Sequence, residues 1–152
     1  MKSNSLAILS ELAKEARDKA AQLLAGERQT QAQLQAQCET LGQYRAEYAS
    51  RLNDCMDEGI DAATLQDYWR FLSSLDQAID SAWKGLEAQA QRVSTRQQQW
   101  QAEQRRLSSF TTLSDRRAAQ QQLAEQRREM RQQDEIANNL FLRAQQSLVV
   151  TE

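Results

Sequence analysis

The chain of 152 residues contains no proline. Proline interrupts helices because it lacks a backbone N–H donor and its ring clashes with the preceding turn. Alanine and glutamine, both good helix formers, supply 22 and 24 residues, whereas valine and isoleucine supply only three and four. A sheet depends on β-branched residues, which are scarce here. The chain is therefore expected to be all-α, with few and long helices.

A first row of residues, spaced alternately three and four apart, predicts a helix over about residues 4–56. This is the spacing of a coiled-coil seam. Polar members of the row at Glu27, Thr30 and Gln37 cost stability but fix the register between helices. The row consists of Leu6, Leu9, Ala13, Ala16, Ala20, Leu23, Glu27, Thr30, Leu34, Gln37, Leu41, Tyr44 and Tyr48.

The clearest helix break lies at residues 57–61. Gly59 tolerates the left-handed conformation that ends a helix, and Asp61 is a good N-cap for the next one. A second row then predicts a helix over about residues 62–110. Its members are Leu65, Tyr68, Leu72, Leu75, Ile79, Ala82, Leu86, Gln89, Val93, Arg96, Trp100, Glu103, Leu107 and Phe110. The two rows predict a single domain, an antiparallel two-helix coiled coil, in which Tyr48 lies near Phe71.

Beyond Phe110 the apolar residues change phase. Hydroxyl and aspartate side chains, which compete with helix hydrogen bonds, are concentrated between Ser108 and Asp115. Residues 111–152 are expected either to continue the helix or to fray as a tail. The first helix is too short to cover them, so their weak apolar stripe is a candidate binding region. The stripe consists of Ala119, Leu123, Met130, Ala137, Leu140 and Ala144.

The composition excludes several kinds of chemistry. Without histidine there is no histidine-based triad or His-ligated metal, and no glycine-rich phosphate loop is present. Cys38 and Cys55, on one helix, would lie about 25 Å apart, too far for a disulfide. A two-helix coiled coil also lacks the enclosed site that catalysis requires. The protein is therefore expected to be no enzyme and to bind no metal or cofactor.

Charge is distributed unevenly along a chain of net charge −2. Residues 1–90 carry 9 basic and 14 acidic side chains, and residues 91–152 carry 10 arginines and 7 acidic side chains. The arginines either form a solvated helix face or a basic binding strip, although nucleic-acid binders usually have a larger basic excess. No apolar stretch is long enough for a signal peptide or a membrane span, which predicts a cytosolic protein.

A series of residues in order resembles the FliJ family of flagellar type III export proteins over roughly residues 6–137. The tyrosine pair, the turn and the aromatic residue after it are the most specific part. The matching residues include Leu9, Leu12, Ala13, Tyr44, Glu47, Tyr48, Leu52, Asn53, Met56, Gly59, Ile60, Tyr68, Phe71, Leu75, Ile79, Arg106, Leu107, Asp115, Arg116, Leu123, Glu125, Arg127, Asp134 and Glu135.

The resemblance implies a coiled-coil stalk, peripheral at the inner membrane through the flagellar export apparatus. The paired helix ends of such stalks insert into the ring of the export ATPase, which acts with its regulator. The half nearer the turn contacts the cytoplasmic domain of the export-gate membrane protein FlhA. Family members also bind export chaperones. Neither nucleic-acid binding nor insertion into the membrane is implied.

The resemblance implies one set of site residues, and the basic excess of the later helix, interpreted with it, suggests a second. The gate-binding surface corresponds to Gln37, Leu41, Tyr44, Tyr48, Phe71, Leu75 and Ala78. Ala82 occupies a further position of that surface but departs from the polar residue expected there. Arginines that would face acidic groups of the ATPase ring are Arg105, Arg106, Arg116 and Arg117. Several gate residues also lie on the seams, where packing alone explains them. Trp100 is expected in the seam, and Trp69 and Trp83 outside it.

Three other interpretations stay open from the sequence. The chain could be the corresponding stalk of a virulence type III secretion system, which shares the architecture. It could be a general coiled-coil adaptor without a role in secretion. It could also bind nucleic acid through its arginine-rich later helix, in which case added salt would weaken binding steeply.

Overall fold

A computed structural model describes the backbone of residues 2–150 and the side chains of residues 4–150. Helix α1 runs over Lys2–Glu58 and helix α2 over Ala62–Val149. Within the described residues neither helix is interrupted, as expected for a chain of helix formers without proline. The predicted all-α antiparallel helical hairpin, with its turn near residues 57–61, is confirmed.

Only three residues connect the helices. Gly59 has a φ of 94°, the left-handed conformation that glycine adopts without the steric cost of a Cβ atom. The backbone N–H of Thr64 donates to Oδ1 of Asp61 over 3.3 Å, and that of Leu65 donates to the Asp61 carbonyl over 3.1 Å. Asp61 therefore caps the first turn of α2. Both roles predicted for this turn are confirmed.

By its internal contacts the chain falls into two units. The turn unit is Ala13–Arg105, and the described part of the terminal unit is residues 2–12 and 106–150. The turn unit holds the three-residue connection and all the contacts between α1 and α2 described below. That the whole chain forms a single domain stays a prediction.

The seam of α2 lies where the sequence predicts it. Every predicted position from Leu65 to Phe110 is at least partly buried, and Gln89 is only 3% exposed. Trp100 is half-buried on this seam, whereas Trp69 and Trp83 are 61% and 52% exposed. The predicted placement of all three tryptophans is confirmed.

The seam of α1 agrees with the prediction at eight of its thirteen positions. Residues 6, 13, 16, 20, 27, 34, 41 and 48 are buried or partly buried as predicted. At the other five positions the helix buries the following residue instead, at least in part: Leu24 and Cys38 are 7% and 2% exposed, whereas Leu23 and Tyr44 are 42% and 50% exposed. The predicted polar layers at Thr30 and Gln37 are therefore wrong, because both residues are exposed.

The predicted row and the observed row of α1, two helical phases of the same segment, both alternate three and four residues. Spacing alone therefore does not distinguish them. Leucines and tyrosines occupy positions in each phase, as at Leu23 and Leu24. The distinguishing signal lies nearer the turn: the observed phase continues to Leu52, 6% exposed, whereas the predicted phase continues to the exposed Arg51. Burial of an arginine without a partner would be costly.

The second helix continues through the hydroxyl-rich segment. The hydroxyls of Thr111 and Thr112 each donate over 3.0 Å to a carbonyl four residues earlier, at Leu107 and Ser108. These side chains therefore bond within the helix rather than end it. We call residues 111–149 of α2 the tail, and every residue of the tail is exposed.

Two further features concern the fold as a whole. Among residues 2–150, no helix combines the length and the apolar character that crossing a bilayer requires. Cys38 and Cys55 both lie on α1 and are free thiols, as their spacing predicts.

Candidate functional site

An aromatic contact between the helices lies close to the turn. The rings of Tyr48 and Phe71 are 4.5 Å apart at their centroids and inclined at 58°. Phe71 is 41% exposed, although it packs against Tyr48, which is half-buried. The predicted proximity of these residues is confirmed. A tilted pair of this kind stabilises the hairpin while leaving aromatic surface in contact with water.

The same two rings line a shallow cavity of about 220 Å³. Thr64, Asp67 and Tyr68 from the first turns of α2 complete its lining. The lining thus combines three aromatic rings with the carboxylate of Asp67. Partly exposed aromatic side chains beside polar groups are a common composition of protein-binding surfaces.

Polar contacts extend from these aromatic residues toward the turn. The Arg51 guanidinium lies 5.3 Å from the centre of the Tyr48 ring, within cation–π range. The Tyr68 hydroxyl lies 4.0 Å from Sγ of Cys55, a long hydrogen bond in which either atom could donate. This bond with Cys55, followed by the interaction with the Cys55 charge and by burial, raises the pKa of Tyr68. Tyr68 is therefore a neutral hydroxyl at physiological pH.

The register of the hairpin relates the predicted gate-binding positions of the two helices. When residues are counted away from the contact between Tyr48 and Phe71, Tyr44 falls level with Leu75, Leu41 with Ala78, and Gln37 with Ala82. On each helix these positions are spaced by three and four, so they lie along one side of that helix. The residues that the resemblance implies therefore lie at matching levels of α1 and α2 in the observed register.

Burial divides these predicted gate-binding residues into two groups. Leu41, Tyr48 and Leu75 are partly buried in the seam, and so is Ala82. The exposed members are Gln37, Tyr44, Phe71 and Ala78. Exposure of Phe71 and Ala78 was expected from their positions off the second seam, whereas Tyr44 was expected within the first. The exposed residues are accessible from solvent, and the partly buried residues contribute to the seam.

An ion pair beside this surface was not predicted. Nε of Arg45 in α1 donates to Oδ1 of Asp76 in α2 over 2.8 Å, and a second guanidinium nitrogen lies 3.5 Å from Oδ2. The hydrogen bond, followed by the attraction between the charges, raises the pKa of Arg45. The same hydrogen bond lowers the pKa of Asp76. The pair could be predicted from the sequence only if Arg45 were placed on the seam of α1, as in the observed row.

A second polar contact joins the helices farther from the turn. Nε2 of Gln89 donates to the backbone carbonyl and to Oε2 of Glu27, and Nε of Arg96 lies 4.0 Å from Oε1 of Glu27. The predicted polar layer at Glu27 is therefore present. Polar layers of this kind fix the register of a coiled coil.

The four arginines expected to face the ATPase ring lie along α2. Arg105 is the last residue of the turn unit, and Arg106, Arg116 and Arg117 belong to the terminal unit. All four are exposed. Eleven residues separate Arg106 from Arg117, close to three full turns of helix, so these two side chains emerge from nearly the same face of α2.

Comparison with known proteins agrees with this architecture. The profile of a family described as the flagellar FliJ protein matches residues 1–146. The chain is 33% identical over 139 residues to the flagellar FliJ protein of Salmonella typhi, covering 91% of this chain and 95% of that protein. Over the same length and coverage, it is 31% identical to the flagellar FliJ protein of Escherichia coli K12. The chain therefore belongs to the flagellar FliJ family.

Proposed function

We propose that this chain, a component of flagellar protein export by its family, is a non-enzymatic stalk between the export ATPase ring and the export gate. In this proposal the surface near the turn binds the cytoplasmic domain of FlhA. The arginines Arg105, Arg106, Arg116 and Arg117 face acidic groups of the ring, which works with its regulator. The protein also carries export chaperones, and it is held at the inner membrane through these partners.

The observation that carries the proposal is the partly exposed aromatic pair of Tyr48 and Phe71. Aromatic side chains are enriched among the residues that contribute most to binding between proteins. Tyr44, 50% exposed, extends the aromatic surface along α1. The polar contacts of Glu27 and Arg45 across the hairpin support this surface by holding the register that aligns its two faces.

Exposure also distinguishes the residues that a partner would contact from those that hold the surface together. Tyr44 can be truncated with little loss of packing, because it is half-exposed outside the seam. Truncation of Phe71 also removes its ring contact with Tyr48. Leu41, Tyr48 and Leu75 contribute to the seam. Ala82 is partly buried and lies on the second seam, so its small side chain is explained by packing. The proposal therefore rests on Gln37, Tyr44, Phe71 and Ala78 as contact residues.

Binding to the purified cytoplasmic domain of FlhA tests this surface. Tyr44→Ala and Phe71→Ala should each weaken binding about tenfold, the effect of losing an interface anchor. Trp83→Ala is the matched control, because Trp83 is a similarly exposed aromatic residue outside the surface. Equal affinities for all three variants and the unmodified protein, with helicity retained, would refute the proposed gate contact.

Hydrolysis by the matching export ATPase tests the other contact. The protein should stimulate hydrolysis, and Arg106→Glu together with Arg117→Glu should reduce the stimulation, because attraction to acidic groups becomes repulsion. Arg70→Glu, an exposed arginine near the turn, is the control. If the unmodified protein neither binds nor stimulates the ATPase, the contact with the ring is wrong.

A further inference from the structure

The tail carries a coiled-coil seam of its own. Its apolar stripe, joined by Gln126 and Gln133, alternates four and three residues from Ala119 to Ala144, which is about three and a half heptads. Leu123, Met130 and Leu140 on this seam are 53%, 64% and 61% exposed. All other described residues from 111 to 150 are exposed as well. The seam is thus formed but has no covering helix among the described residues.

We propose that this seam pairs with the same seam of a second copy of the chain, in antiparallel orientation. In an antiparallel coiled coil, the a positions of one helix face the d positions of the other. If the two-fold axis passes between Arg131 and Gln132, Leu123 of each copy lies against Leu140 of the other. The outermost layers then pair Ala119 with Ala144, where small side chains allow close approach. The inner layers pair each glutamine with an apolar residue, Gln126 with Ala137 and Gln133 with Met130.

Charges beside the seam favour this orientation. In the antiparallel pair, Arg127 of each copy flanks Asp134 of the other, which gives two attractive contacts related by the two-fold axis. In a parallel pair of the same seams, Glu129 of each copy flanks Asp134 of the other, which gives two repulsive contacts. Because these charges complement those of an identical chain, a second copy is the partner that the seam fits. The proposal does not depend on the contacts with the ATPase or the gate.

Sedimentation equilibrium of the full chain over a range of concentrations at low salt tests the pairing. A monomer–dimer equilibrium is expected. Arg127→Asp and Asp134→Arg should each weaken dimerisation by on the order of tenfold, since two attractive pairs become repulsive. The double variant Arg127→Asp/Asp134→Arg restores opposite charges and should restore the affinity. Arg128→Asp, a neighbouring change on the face away from the seam, should leave it unchanged.

Three results would overturn the proposal. A chain that stays monomeric up to millimolar concentration would show that a second copy does not cover the seam. Stronger dimerisation of Asp134→Arg would indicate parallel pairing, because that change replaces the repulsion from Glu129 with attraction. A dimer insensitive to both single variants would use another surface. Circular dichroism of each variant establishes that its helices remain formed.

Discussion

The side-chain amide of Gln89 in α2 donates hydrogen bonds to both the backbone carbonyl and the carboxylate of Glu27 in α1. The first of these bonds is 3.0 Å long, and Gln89 is only 3% exposed. Sixty-two residues separate the partners along the chain. The contact links one specific turn of α1 to one specific turn of α2, which a purely apolar seam does not do.

Gln89→Ala should lower the free energy of unfolding by about 1–3 kcal/mol, because it leaves the partly buried polar groups of Glu27 without their donor. Urea denaturation followed by circular dichroism measures the change. The control is Gln77→Ala, which removes an exposed glutamine from the same helix and should change stability by less than about 0.5 kcal/mol. Equal stability of the two variants would contradict a structural role for Gln89.

Replacing Glu103 should have the opposite effect. Its Oε2 atom is buried without a hydrogen-bond partner in the part of the chain that the structure describes. Glu103→Leu removes this unsatisfied group from the seam and should raise the free energy of unfolding by about 1 kcal/mol. Thermal and urea denaturation measure the gain. Glu87→Leu, at an exposed position of α2, serves as the control, and a similar gain there would point to a nonspecific effect of leucine.

Two glycines should respond in opposite ways to the same substitution. Gly59→Ala forces a Cβ atom into a left-handed conformation and should cost about 1 kcal/mol, whereas Gly42→Ala, inside α1, should gain a similar amount. A Cβ atom at either site would meet no other atom within 4 Å, so the backbone alone determines both signs. Melting temperatures measure both changes, and destabilisation by Gly42→Ala would refute this account.

The ion pair between Arg45 and Asp76 should make stability depend on pH. The hydrogen bond from Arg45 lowers the pKa of Asp76 in the folded protein, so its contribution is complete above the unfolded-state pKa of about 3.9. The contribution is lost as the pH falls through the lower folded-state pKa. The unmodified protein should therefore melt above Asp76→Asn at pH 6, and the difference should shrink toward pH 2.

The control for this pH series is Asp80→Asn. Asp80 pairs with Lys84 within α2, and both side chains are highly exposed, so this pair contributes little to stability. A difference between the unmodified protein and Asp76→Asn that stays constant from pH 6 to pH 2 would contradict the linkage.

Most of the fold follows from local chemistry that the sequence displays directly. The turn rests on Gly59 and Asp61, whose preferences belong to single residues. The second seam follows from bulky residues at consecutive positions, such as Leu72, Leu75 and Ile79. In these regions only one helical phase buries the apolar side chains, and the structure has that phase.

The phase of α1 depends instead on contacts between the helices. Both candidate rows contain leucines and polar residues, and only the step to Leu52 rather than Arg51 near the turn favours the observed row in the sequence. The choice between Leu23 and Leu24 therefore depends mainly on contacts with α2. Pairing such as that of Arg45 with Asp76 requires both the correct phase and the register across the hairpin. For the same reason the sequence placed Tyr44 in the seam, whereas the structure exposes it. Which of the gate-binding residues contact a partner stays a prediction.

The three-residue connection has a consequence for how the chain folds. Contacts across the hairpin join residues 13 apart at Cys55 and Tyr68, 31 apart at Arg45 and Asp76, and 62 apart at Glu27 and Gln89. Because the entropy lost on closing a loop grows with its length, the shortest loop closes first at the smallest cost. Each closed contact then shortens the next loop. Folding of the turn unit should therefore start at Gly59 and proceed away from it, with rates set by the residues beside the turn.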